Sequence, residues 1–116
     1  LLSQPWVGAS WEGLCVSQIL GSLKSSGEDH DAYFFRSSDG HEIDLVLQFS
    51  KGLWAFEFKL TSSPSQEDMK RLNMAADLIR ADQRILVTRT AHPEIGTRSI
   101  STHIRGGLKH LFSKGF

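Results

Sequence analysis

Two short runs carry the residues best suited to chemistry: Glu42-Ile43-Asp44-Leu45-Val46-Leu47 and Trp54-Ala55-Phe56-Glu57-Phe58-Lys59-Leu60. Each reads as a strand, in which alternate side chains share a face, so Glu57 and Lys59 point one way and Phe56, Phe58 and Leu60 the other. By the same alternation Asp44 shares its face with Glu42 and Val46. A two-residue turn at Ser50-Lys51 pairs Phe49 with Gly52 and sets Asp44 opposite Glu57. A three-residue loop would put them out of phase unless a bulge restored the register; the chemistry favours the first arrangement.

Two neighbouring carboxylates repel, and burying them costs free energy unless a cation compensates. A hard divalent ion such as Mg²⁺ does so, using one or two carboxylates together with water and phosphate oxygens. Such an ion polarises a phosphodiester and lowers the pKa of a bound water, while a nearby ammonium stabilises charge building on the phosphate. In isolation, Glu-x-Lys is a surface salt bridge worth roughly 0–1 kcal/mol. Here it stands on an apolar strand beside an aspartate. A further acid, Glu12, lies among Trp11, Leu14 and Cys15 on the first expected helix, where it is either a favourable first-turn acid or a group reaching over the sheet.

The elements that must position these residues are legible in outline. Ser10 is expected to cap a helix over about 11–23, with Trp11, Leu14, Cys15, Ile19 and Leu20 as its apolar set. Strands are expected at 32–36, 42–49 and 53–60, joined by short turns. Ser63-Pro64-Ser65-Gln66 supplies an N-cap, a proline at the first helical position and a capping-box partner. The following helix should bury Met69, Leu72, Ala76 and Ile79. Ile85, Leu86 and Val87 predict a strand over 84–89 covered on both faces; Ile100 marks another short strand, and 104–112 a last amphipathic helix. The order αβββαβ(β)α calls for an α/β sandwich with a mixed sheet flanked by helices.

Taken together, Glu12, Asp44 and Glu57-x-Lys59 resemble the PD-(D/E)XK nuclease superfamily. More specifically, the chain resembles the DUF4143 domain found after an AAA+ ATPase module in many prokaryotic proteins. The matching stretches are Gln4-Pro5-Trp6-Val7-Gly8-Ala9-Ser10-Trp11-Glu12-Gly13, Tyr33-Phe34-Phe35-Arg36, Glu42-Ile43-Asp44-Leu45-Val46 and Ala55-Phe56-Glu57-Phe58-Lys59. The likeness covers roughly residues 1–89, and Ile43 stands where the superfamily's name has proline. It implies a restriction-endonuclease-like α/β core and a Mg²⁺ (or Mn²⁺) ion held by Asp44 and Glu57 with Glu12. It also implies Lys59 as the catalytic lysine, with Asp44, Glu57 and Glu12 completing the catalytic set. The reaction implied is hydrolysis of nucleic-acid phosphodiesters, DNA before RNA, by an endo- or exonuclease. The chain carries no G-x-x-x-x-G-K-[S/T] loop, so ATP binding would belong to an upstream AAA+ portion of the same protein.

Lys70, Arg71 and Arg36 are the expected nucleic-acid contacts. The alternative from another class is a non-catalytic accessory module of the ATPase that binds protein or nucleic acid. Cytoplasmic location is expected, and homo-oligomerisation is left open.

Composition narrows the field further. The 116 residues suffice for one domain over 1–116, read as a piece of a longer chain. The hydrophobic fraction of 40% supports a real core, and no apolar run approaches a membrane span. Net charge is zero, but residues 1–58 carry −5 and 59–116 carry +5, a dipole suited to gathering a cation beside an anion. The single Cys15 excludes an internal disulfide and a multi-cysteine zinc site and reads as a small buried hydrophobe. The scattered histidines lack zinc-ligand spacing, and no Gly-x-Ser-x-Gly elbow is present.

Overall fold

The structure is a computed structural model describing residues 5–114, with side chains described over 10–113. Three helices and six strands follow in the order α1 Pro5–Ser26, β1 Asp31–Arg36, β2 Glu42–Phe49, β3 Gly52–Phe58, α2 Gln66–Ile79, β4 Gln83–Val87, β5 Glu94–Ile95, β6 Ser99–Thr102, α3 Ile104–Lys114. The strands form one mixed sheet ordered β1-β2-β3-β4-β6-β5. Antiparallel pairing joins β1 to β2, β2 to β3 and β5 to β6, and parallel pairing joins β4 to both β3 and β6. The expected α/β class and mixed sheet are what the chain adopts.

Each face of the sheet has its own core. Leu45, Leu47, Phe49, Trp54, Phe56, Phe58, Ile85 and Val87 pack with Cys15, Ile19 and Leu23 of α1 and Leu111 of α3. Val46, Ala55 and Leu86 pack on the other face with Leu72, Ala75 and Ala76 of α2. Strand β4 is therefore covered on both faces, as its unbroken Ile85-Leu86-Val87 run predicts.

Several boundaries differ from expectation. Helix α1 starts at Pro5, so Ser10 lies inside it and caps nothing; proline suits the first helical turn, and nothing between it and Trp11 breaks the helix. Residues 1–4 lie outside the described residues. Gly27, at φ +75°, ends α1 in the left-handed region that glycine adopts readily. Leu14, expected on the apolar face, is 56% exposed, whereas Leu23 is buried.

Helix α2, by contrast, begins later than expected. Ser65 is its N-cap, and Asp68 completes the capping box, so Pro64 precedes the cap. Strand β3 ends at Phe58 and leaves Lys59 just beyond it, while β4 ends at Val87 short of the expected Arg89. The two-residue strand β5 carries no apolar alternation and went unpredicted.

Candidate active site

The β2–β3 turn has the expected length: Phe49 pairs with Gly52, and the register runs unbroken to Leu45↔Phe56. One further step would bring Asp44 opposite Glu57, but the ladder stops there. The cause is a bulge against β1. Tyr33 pairs with Val46 and Phe35 with Ile43, so two residues of β2, Asp44 and Leu45, face one residue of β1. Ile43 and Val46, three apart, consequently enter the same core. The expected regular alternation of Glu42, Asp44 and Val46 on one face is therefore interrupted, and Asp44 is re-aimed at the neighbouring strand. Its Oδ2 accepts the Phe58 N–H at 2.9 Å, standing in for a lost ladder bond where β2 and β3 part.

The Asp44 and Glu57 side chains meet at this parting. Burial pushes the Glu57 carboxyl up from its ordinary 4.5 to about 9, helped by a hydrogen bond to Asp44 and by the negative charge of Asp44, Glu12 and Glu42. Glu57 therefore holds a proton at neutral pH and donates it toward Asp44. Half-buried Glu12, on the face of α1 turned to the sheet, is also raised, first by burial and then by Asp44. Glu12 thus shares an electrostatic neighbourhood with both strand acids. Burial, with a contribution from Glu12, raises the Cys15 thiol to about 11, which leaves it an inert core group.

Glu57 opens onto a cleft of about 320 Å³ lined also by His41 and Glu42 at the β1–β2 turn, Lys59, and Asp68 and Arg71 of α2. Lys59 does not pair with Glu57 or Asp44. Its Nζ lies 2.5 Å from Asp68 Oδ1, and the same oxygen accepts from the Arg71 guanidinium at 3.0 Å. The Asp68 side chain is only 4% exposed. Burial alone would raise its pKa, yet the hydrogen bonds from Lys59 and from the Ser65 backbone and the Lys59 charge hold it below the usual carboxylate value.

The remaining expected contacts are dispersed. Lys70 lies on the opposite side of α2, in a larger groove shared with Gln66, Asn73 and β6 residues. Arg36 is paired with Glu42 at 3.0 Å, both side chains largely exposed. The structure thus brings Asp44, Glu57 and Glu12 into one electrostatic neighbourhood and Lys59 with Arg71 onto Asp68, and leaves Lys70 and Arg36 apart. Asp68 was missed in the sequence, although Ser65-Gln66-Glu67-Asp68 fits the Ser-x-x-Asp capping pattern that would have placed it.

The two strand acids form a donor set of the kind a hard divalent ion accepts, hydrogen-bonded to each other through a proton that such an ion would displace. Among the described residues, no three His, Cys, Asp or Glu side chains converge in a group that could hold a metal ion. Asp44 and Glu57 would therefore supply two ligands, with water or substrate oxygens completing the shell.

The family model of DUF4143, a domain of unknown function, matches residues 7–103. The chain belongs to the DUF4143 family. Among curated proteins it is 36% identical over 61 residues to an uncharacterized protein of Mycobacterium bovis and equally to one of Mycobacterium tuberculosis. Those 61 residues are 53% of this chain but 13% of each relative, so this DUF4143 chain spans only a small part of their length. No solved structure matches it significantly. Among the described residues no helix is long and apolar enough to cross a membrane.

Proposed function

We propose that this DUF4143 domain is a metal-dependent nuclease of the PD-(D/E)XK type that hydrolyses phosphodiester bonds, in DNA before RNA. The observation that carries the reading is the meeting of Asp44 and Glu57 where β2 and β3 part, with Glu57 lining the same cleft as Lys59 and Arg71. Asp44 and Glu57 would hold Mg²⁺ or Mn²⁺, with Glu12 in the same electrostatic neighbourhood. When bound, such an ion supplies Lewis-acid polarisation of the phosphodiester and lowers the pKa of its water. Lys59 and Arg71 provide positive charge where the phosphate gains negative charge. In this reading the domain works in the cytoplasm of a prokaryote, within a longer chain whose upstream part is an AAA+ ATPase.

A second reading is favoured by one specific observation: Lys59 is engaged with Asp68 and not with the carboxylate pair. In that reading the domain is a non-catalytic accessory module of the ATPase that binds protein or nucleic acid, and the acidic pair does no chemistry.

The deciding experiment is a Mg²⁺/Mn²⁺ cleavage assay on single-stranded, duplex and branched DNA, with Lys59→Ala in parallel. The nuclease reading expects cleavage that falls by about 10²-fold or more in the variant, the usual effect of removing a group that stabilises transition-state charge. Cleavage of equal rate in both proteins would locate the activity elsewhere, and its absence from both would favour the accessory module.

A further inference from the structure

Asp68 is a buried carboxylate whose two oxygens do different work. Oδ2 accepts the backbone N–H of Ser65 at 2.8 Å, closing the capping box and fixing the carboxylate to the start of α2. Oδ1 is left to accept from Lys59 at 2.5 Å and from Arg71 at 3.0 Å. Because both nitrogens touch one oxygen, they lie no more than 5.5 Å apart. Two cations that close repel each other, and only the carboxylate between them makes the arrangement favourable. Both side chains keep a solvent-facing part, at 47% and 68% exposure, and both line the cleft. Each cation therefore retains N–H groups that Asp68 does not use: an ammonium carries three and a guanidinium five.

We propose that Asp68 is a positioning residue that assembles Lys59 and Arg71 into a two-point clamp for a phosphate oxyanion. The ligand class follows from the chemistry. Two adjacent donors of fixed spacing match the non-bridging oxygens of a phosphate, Arg71 through its planar fork and Lys59 as a compact charge. That the bound phosphate belongs to a nucleic-acid backbone rests on the nuclease reading; the clamp itself does not.

The test needs no turnover. The chain is treated with an amine-acylating reagent, and labelling of Lys59 is quantified by peptide mass spectrometry with and without inorganic phosphate; exposed Lys109 serves as the control. Phosphate should protect Lys59 roughly threefold or more in the parent protein, as expected for a charge-assisted contact at a partly exposed site. The protection should vanish in Asp68→Asn and in Arg71→Gln. Asparagine can still accept from the Ser65 N–H, and Arg71 is mostly exposed, so the second variant keeps the test decisive if the first unfolds. A purely structural role for Asp68 predicts a lowered melting temperature with protection intact, and that result would overturn the proposal. Equal protection in parent and Arg71→Gln, or none in the parent, would overturn it as well. Asp68-dependent protection in a protein that cleaves no DNA would retire the nuclease reading and leave the clamp standing.

Discussion

Glu57 is the residue whose energetics are most exposed to solution conditions. The folded protein keeps its proton up to about pH 9, whereas in the unfolded chain the carboxyl ionises near its ordinary 4.5. Between those values the unfolded state binds fewer protons, so this group makes the fold less stable as pH rises. Glu57→Gln keeps the shape and removes the titration. In the presence of chelator the variant should match the parent near pH 4 and gain on it steadily up to pH 8. There the advantage should reach roughly 1–3 kcal/mol, reduced from the full linkage value by relaxation and water entry. Melting curves at three pH values check this, and a pH-independent difference would show that Glu57 is ionised in the fold. The strand acids of the candidate site were legible residue by residue, because a carboxylate on an apolar strand stands out against its neighbours. The partner of Lys59 was not, since Asp68 lies nine residues on and is brought back only by the way α2 is capped.

At the scale of elements, legibility followed the strength of the local pattern. Strand β2 matched its expected bounds because Gly40 before it and the Ser50-Lys51 turn after it both punctuate the chain. The bulge at Asp44 carries no such punctuation; it arises from pairing with β1, a tertiary preference invisible in one strand's alternation. Helix starts were the weakest point, because several Ser residues near 62–65 can each cap and packing chooses among them.

Gly52 shows how a turn depends on its surroundings. It sits at φ +157°, and a Cβ there would overlap the carboxylate of Asp82, whose Oδ2 accepts the Leu53 N–H at 2.8 Å. Gly52→Ala should therefore displace Asp82 and lower stability by about 1–2 kcal/mol. Chemical denaturation would read this directly. Asp82→Ala, which opens the space while giving up the same hydrogen bond, should remove the steric part of the cost and leave the part due to the positive φ, an interaction visible in a double-mutant cycle.

The whole molecule has a radius of gyration of 13.4 Å, that of a compact domain of this length. Its two cores share one sheet, and the acidic first half of the chain meets the basic second half at the cleft. Asp44 and Glu57 come from the antiparallel meander, while Asp68 and Arg71 come from the helix that crosses over to the parallel strand β4. That division has a kinetic meaning. Meander pairings such as Leu47↔Trp54 close short loops, whereas Phe56↔Ile85 and Leu86↔Ser101 close only after a helix or a long connection has been ordered. Pulse-labelled hydrogen exchange during refolding should thus protect amides of β2 and β3 at their shared ladder before those joining β3 to β4. The order of assembly leaves Lys59 without its Asp68 partner until α2 docks, so Asp68→Asn should slow the late phase of refolding and not the early one.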